Sequence, residues 1–391
     1  MTSTGLVDAT VVHSGGTVAL HAATVLAQPG ELLVVLGPSG SGKSTLLKAV
    51  AGLVEVRSGE VLINGVRMTT RPPEGRDTAM VFEYSELVPF LDVSENLALG
   101  LKLHHRPQVE IDQRVSTQAR KLRLTRLLSR RPATLSAGER GQVGIGRALI
   151  RVPSVFLLDE PLAHHDAASR AQMRRHIVDV VKGLGVTTIY VTHDQSEALA
   201  IADRIAILQE GAVVQLAPPR ELYAKPATVF IAGFVGSVPL GLLSAQLVSS
   251  AGMAGFRVGA RVLPLWGPVP DQLSDRVGQN LLLGVRAEDV RDATDNAPPD
   301  LATLPGVVTR LEYTGADTIL TIAIAAPPVS APGAELADSS AESAQLRARF
   351  SGRTTARVGS AVQISVDLAR AHVFDLTTGQ AVCHLAPPEA S

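Results

Sequence analysis

The run GPSGSGKS (37–44) sits directly behind the apolar stretch ELLVVLG (31–37), and few folds accept that juxtaposition. The spacing G-x-x-x-x-G-K-[ST] calls for a buried strand that turns tightly on glycine and re-enters as a helix. Glycine lets backbone N–H groups curl round an anion without Cβ clashes. Lys43 would add positive charge to the β- and γ-phosphates of a nucleotide, and the Ser44 hydroxyl could ligate Mg²⁺. The helix opening near Lys43 would point its positive end at the same anion. The candidate contacts are Gly37, Pro38, Ser39, Gly40, Ser41, Gly42, Lys43, Ser44 and Thr45.

A chain of 391 residues can hold two or three domains, each with its own core. Its formal net charge of −1 gives no global attraction to nucleic acid or anionic lipid. One cysteine, Cys383, excludes an intramolecular disulfide framework and fits a reducing cytosol. The first residues lack a basic segment followed by an apolar core, so no signal peptide is expected. No apolar run approaches the roughly 20 residues of a spanning helix, which leaves a soluble protein docked on an apolar partner.

Residues 1–235 alternate short Val/Ile/Leu runs with helical stretches, as an α/β domain around a buried sheet does. The clearest strands are 31–37, 155–160 and 187–193. A helical subdomain is expected over about 92–150. Within it KLRLTRLLSRR (121–131) places leucines at helical spacing. From 236 to 391 the texture becomes β-rich: TILTIAIA (318–325) and AVQISVDL (361–368) alternate between Gly, Pro and Asp turns. The Ala-, Pro- and Ser-rich segment 326–343 reads as a loop.

VFLLDEP (155–161) is an apolar strand ending in two acids. Carboxylates at such an end face the ligand crevice of a parallel sheet. Asp159 is placed to bind Mg²⁺ and Glu160 to polarise an attacking water. LSAGERGQVGIGRAL (135–149) precedes those acids, and with it the chain resembles the ATP-binding-cassette family, whose signature reads L-S-G-G-Q. Leu135, Ser136 and Gly138 match, whereas Ala137 and Glu139 replace a Gly and the Gln. Ser136 and Glu139 also fit a capping box, and the two readings are compatible.

The resemblance extends through LAHHDA (162–167), with Asp166 at the D-loop acid, and VTHDQSEALAIADRIAIL (191–208), with His193 at the γ-phosphate contact. Adjacent His164 and His165 lack the Cys/His company of a metal site. Where the family stacks adenine on an aromatic ring, VVHSGGTVAL (11–20) offers His13; that ring either stacks or is an ordinary surface histidine. The family has Gln at the position of Glu83 in MVFEYSELVPFLDV (80–93). By that resemblance Glu83 is a contact to Mg²⁺ and water at an atypical Q-loop. LLLGVRAEDV (281–290) resembles the G-[IV]-R-P-E-[DH] stretch of the accessory domain in sugar-importer ATPases of the maltose type.

The resemblance implies a P-loop α/β ATPase core with a helical subdomain, followed by an accessory (TOBE) domain built from a pair of oligonucleotide-binding-like β-barrels. It implies a homodimer, or a paired cassette, enclosing two ATP molecules with Mg²⁺. Each site would join Gly37–Thr45, Asp159, Glu160 and His193 of one copy to Ser136, Ala137, Gly138 and Glu139 of the other. It further implies two transmembrane permease subunits, an extracytoplasmic solute-binding protein as an indirect partner, no nucleic acid, and a peripheral place on the cytoplasmic face of the membrane. The cargo reading is a sugar or glycerol-phosphate solute. A polyamine or inorganic-ion importer and a degenerate regulatory module are the alternatives. A soluble cassette in DNA repair or translation would need a coiled-coil insert, zinc motifs or a second cassette, which the sequence lacks.

Overall fold

The computed structural model describes residues 2–82, 87–163, 167–250, 253–265, 269–293, 303–329, 331–333, 343–351 and 354–385. Two compact units divide the chain, Met1–Pro219 and Arg220–Ser391. The first runs through β1 (Thr4–Val12), β2 (Val18–Ala27), β3 (Leu32–Leu36), α1 (Lys43–Ala51), β4 (Ser58–Ile63), β5 (Val66–Arg67), β6 (Thr78–Val81), α2 (Val93–Leu103), α3 (Gln108–Lys121) and α4 (Ala137–Leu149). It continues through β7 (Val155–Asp159), α5 (Ala167–Leu184), β8 (Thr187–Thr192), α6 (Gln195–Ile201), β9 (Arg204–Gln209) and β10 (Ala212–Ala217).

Six of these strands form a sheet in the order β10-β9-β3-β8-β7-β6. It is parallel from β9 to β6, with β10 antiparallel at its edge. Every residue of β3, β7 and β8 is buried, as strands covered on both faces must be. The register pairs Leu36 with Thr192 and Asp159 with Val191. The loops leaving β3, β7 and β8 therefore emerge together at one sheet edge, where a parallel sheet builds its ligand crevice.

An antiparallel sheet, β2-β1-β4-β5, lies beside it. Leu6, Val25 and Val61 share a core with Leu46, Leu47 and Val50 of α1 and with Val35 and Val191 of the parallel sheet. Helix α1 is thereby fixed by apolar contact while its N-terminus faces the crevice edge. The helical subdomain packs α2, α3 and α4 around Leu97, Ile111, Val115 and Val143.

One expectation fails here. The 121–131 stretch is not a helix: α3 ends at Lys121, Arg123 takes φ 58°, and only the short 3-10 turn Thr125–Leu127 follows. Its leucines are spaced for a helix because Leu122 and Leu124 fill the subdomain core from a turn. Among the described residues no helix is long and apolar enough to cross a membrane.

The second unit starts with helices α7 (Pro219–Ala224) and α8 (Val229–Phe234). Then come β11 (Gly241–Ser250), β12 (Met253–Val258), β13 (Arg261–Pro264), β14 (Asn280–Val285), β15 (Val290–Asp292), β16 (Thr303–Tyr313), β17 (Asp317–Ile324), β18 (Ala344–Ser351), β19 (Ala361–Val366), β20 (His372–Phe374) and β21 (Ala381–His384). They form two antiparallel sheets, β13-β12-β11-β14-β20-β21 and β15-β19-β16-β17-β18. Where the sequence suggests two small barrels, the sheets close over one common core that includes Leu243, Phe256, Leu283, Leu320, Leu346 and Ile364.

The sequence places the domain boundary at 235, whereas the compact units divide after Pro219. Arg286 supplies the reason. Its buried guanidinium donates to the carbonyls of Ala232 (2.9 Å) and Val235 (2.7 Å), and lies 4.0 Å from the Tyr223 ring centroid. Val229 and Ala232 complete a core with Leu240, Leu282 and Phe374. Residues 220–235 thus belong to the strand-rich unit.

Candidate functional site

The loop between β3 and α1 is shaped by glycines at positions no other residue fits. Gly42 has φ 101°, and a Cβ there would lie 2.4 Å from the Ala19 carbonyl oxygen. At Gly37 a Cβ would lie 2.2 Å from the carbonyl oxygen of Leu208. Gly40, by contrast, has open space beside it, and with Ser39 it is exposed at the rim. Gly42 caps α1 without any side-chain hydrogen bond, and the first turn holds no acid. The positive end of α1 is thus left to whatever the loop encloses.

Lys43 begins that helix and is buried, its Nζ donating to the carbonyls of Gly37 (2.9 Å) and Pro38 (2.8 Å). Burial lowers its pKa, and the charges of Glu160 and Asp159 act the opposite way. The Ser44 hydroxyl donates to Asp159 Oδ1 at 2.9 Å. A hydroxyl and a carboxylate are hard oxygen donors of the kind Mg²⁺ takes, usually alongside water and phosphate oxygens. The pair fits that ion, and among the described residues no larger cluster of His, Cys, Asp and Glu suits a metal.

Glu160 follows Asp159 with φ 45°, its N–H donating to the Val191 carbonyl at 3.0 Å. Its Oε2 lies 2.7 Å from His193 Nδ1. The adjacent β7 and β8 ends place these two residues side by side, although 33 positions separate them in the chain.

A polar network that sequence reasoning missed lies around His193. Thr192 Oγ1 donates to Glu197 Oε2 (3.0 Å) and accepts from the Asp194 N–H (3.0 Å). Tyr190, fully buried, donates its hydroxyl to Glu197 Oε1. Asp194 caps α6 by accepting from the Glu197 N–H (3.0 Å) and meets Arg170 Nη1 at 3.3 Å. Burial raises the pKa of Glu197. The Asp-x-x-Glu spacing of 194–197 was visible as a helix-start pattern, but it gives no hint that the glutamate turns inward.

The remaining candidates stand apart. Ser136 and Ala137 are exposed at the start of α4. Ser136 Oγ accepts from the Glu139 N–H (3.2 Å), and Glu139 Oε2 accepts from the Ser136 N–H (2.7 Å). That backbone hydrogen bond holds the Glu139 carboxyl below its ordinary pKa. His13 is exposed in the tight turn joining β1 to β2. The same β2 carries Ala19 against Gly42, so the hairpin borders the phosphate-type loop. Glu83, Asp166, His164 and His165 lie outside the described residues.

Next to the crevice edge, Val81, Phe82, Leu99, Leu103, Arg147 and Arg151 line a groove of about 450 Å³. Phe82 and Leu103 are exposed there by 45% and 70%. An apolar rim with two cations beside it has the character of a docking surface.

Residues 20–163 match the family described as ABC transporter, and residues 283–374 match the TOBE domain. The sn-glycerol-3-phosphate import ATP-binding protein of Chromohalobacter salexigens is 41% identical over 364 residues, 93% of this chain and 91% of that protein. The trehalose/maltose import ATP-binding protein of Thermococcus litoralis is 38% identical over 391 residues, 98% of this chain and all of that protein. A solved dimeric ATP-binding cassette in a post-hydrolysis state, bound to ADP and Pi, aligns with TM-score 0.51 and 28% identity. It covers 55% of this chain and 98% of its own.

Proposed function

This chain belongs to the ABC transporter family of import ATP-binding proteins, and from that premise we propose that it hydrolyses ATP to drive uptake of a sugar or a sugar-like solute such as glycerol phosphate. The observation that carries the reading is the convergence of the Lys43 loop, Asp159, Glu160 and His193 at the carboxyl ends of β3, β7 and β8. In this reading the backbone of Gly37–Thr45 wraps the phosphates, and Lys43 turns from its own loop carbonyls to their oxygens. Ser44 and Asp159, with Glu83, would hold Mg²⁺, which would offset phosphate charge. Glu160 takes the proton of the attacking water as its oxygen bonds to the γ-phosphorus, and the bridging oxygen departs with ADP. His193 orients Glu160 and reaches the γ-phosphate, and His13 lies beside the base.

A second copy supplies the other wall of each site. Ser136 and Ala137 are exposed and Gly138 and Glu139 half-buried at a helix start, where an anion held by a partner can be met. ATP then acts as the bond between two copies, and its hydrolysis releases them. The Phe82–Leu103 groove receives the cytoplasmic segment of a permease, two of which span the membrane. An extracytoplasmic binding protein delivers solute to them, and this chain stays peripheral.

Reconstituted transporter complex in vesicles tests the proposal. ATP-dependent accumulation of a labelled sugar or of glycerol phosphate is expected. Accumulation of polyamines or inorganic oxyanions alone would replace the cargo assignment, and absence of ATP hydrolysis would remove the reading altogether.

A further inference from the structure

The pattern acid-or-hydroxyl, two residues, glutamate opens three helices of the first unit, and the third is used differently from the others. At α2 and α4 the glutamate, Glu95 or Glu139, folds back to accept the N–H of its capping residue, Asp92 or Ser136. At α6 the capping residue is Asp194, yet Glu197 does not fold back. It turns beneath β8, where it is buried and accepts from Tyr190 and Thr192. The Asp194 N–H that it would have capped goes to Thr192 Oγ1.

A buried carboxylate has a real desolvation cost, which a folded-back glutamate at the surface avoids. The arrangement repays that cost with rigidity at one place. Thr192 and Asp194 flank His193, and the side chain or N–H of Glu197 binds each of them. Asp194 is further tied to Arg170 on α5. His193 itself is 60% exposed, and among the described residues its ring makes one polar contact, to Glu160. A ring that solvent surrounds takes its aim from the main chain beneath it.

We propose that Glu197 is a positioning residue for hydrolysis: it locks the Thr192–Asp194 turn so that His193 meets Glu160. This inference rests on the assignment of Glu160 and His193 made above, and it adds a residue that touches neither ATP nor water. Gln at 197 keeps the volume but puts an NH2 donor where one of the two carboxylate oxygens accepts from Tyr190 or Thr192. Val at 192 removes the hydroxyl next to His193, and Ser restores it.

The test is a double-mutant cycle on full-length protein, read as kcat and KM for ATP. Glu197→Gln and Thr192→Val should each lower kcat about 10- to 100-fold with KM nearly unchanged, as displacement of a catalytic group does. Thr192→Ser should recover most of that loss. In a His193→Ala background, Glu197→Gln should lower kcat no further. A further fall in that background overturns the proposal, as does equal loss in Thr192→Ser and Thr192→Val. If Glu197→Gln fails to fold, the Thr192 pair in both backgrounds decides the matter alone. Unchanged kcat in His193→Ala by itself would instead overturn the assignment of His193, and this inference with it.

Discussion

His193 Nδ1 lies 2.7 Å from Glu160 Oε2, with the imidazole largely in solvent and the carboxylate only 21% exposed. Two adjacent parallel strands create that pair, since Asp159 faces Val191 in the register, with Glu160 one residue beyond the first and His193 two beyond the second. Glu160 sits at φ 45°, a region that costs a non-glycine residue about 1–2 kcal/mol. Its N–H bond to Val191 holds it there. The glutamate is therefore aimed by the sheet, and the histidine by the turn above it.

Glu160→Gln should bind ATP as the natural protein does and hydrolyse it about 10²- to 10⁴-fold more slowly, the range for loss of a general base. The amide keeps a contact to His193, so the fold is spared. Fluorescent-nucleotide titration and steady-state phosphate release measure the two halves. Turnover within a few-fold of normal would reassign the base.

Glu139→Gln tests the charge at the start of α4. Glutamine can still fill the capping box, so the helix should persist. One negative charge would be gone from a surface that faces ATP in the proposed dimer. ATP-driven dimerisation should then need about two- to fivefold less nucleotide at low salt, the size of a terminal charge effect. Analytical ultracentrifugation against ATP concentration reads this directly, and the gain should shrink in high salt.

Acid stability of the second unit should depend on two opposed groups. His372 is buried against Arg286 and His384, and burial first of all pushes its pKa down to about 3. A base depressed in this way must stay neutral to fold. Its contribution is intact above the ordinary value of 6.5 and is lost as pH falls from there toward 3. Asp289 runs the other way, since burial and then Glu288 raise it to about 6. It is a burden at neutral pH, relieved as pH falls from 6 toward its ordinary 3.8. Asp289→Asn should therefore make the loss between pH 6 and 4 steeper, and His372→Gln should preserve structure below pH 4. Urea unfolding followed through Trp266, the one tryptophan in the chain, checks both.

Glu83→Gln should move the Mg²⁺ concentration for half-maximal hydrolysis. A carboxylate about 5 Å from another negative group costs about 3 kcal/mol at an effective dielectric of about 20, and attraction to Mg²⁺ is of comparable size. Superimposable Mg²⁺ titrations of the two proteins would make Glu83 a bystander.

The central strands were legible because a buried parallel strand is an apolar run with an abrupt end. The runs at 31–37, 155–160 and 187–193 contain β3, β7 and β8. Lys43, Ser44, Asp159, Glu160 and His193 each lie in or directly after those ends, so the motifs led to side chains that the structure brings together. Glu197 escaped notice since its partners lie on the hidden face of β8. Tyr190 is a polar group on a strand that otherwise reads as apolar, and nothing in the one-dimensional pattern joins it to a helix-capping glutamate. The leucines of 121–131 misled for a related reason: a core can be filled from a turn as well as from a helix, and periodicity does not distinguish the two. The expected boundary near 235 differs from the division after Pro219 because helices 219–234 look like the end of an α/β domain, whereas the guanidinium that bonds Ala232 and Val235 is 54 and 51 residues further on.

That guanidinium also decides where two such proteins could be recombined. A chimera joined after 235 would separate Arg286 from the carbonyls of Ala232 and Val235, and would part Val229 and Ala232 from Leu240, Leu282 and Phe374. Each foreign half would then present a bare apolar helix to a bare buried cation. A crossover near 219 keeps donor and acceptors in one inherited piece. The accessory unit is thus a cassette with its own adaptor attached, and shuffling between importers is easiest upstream of the adaptor.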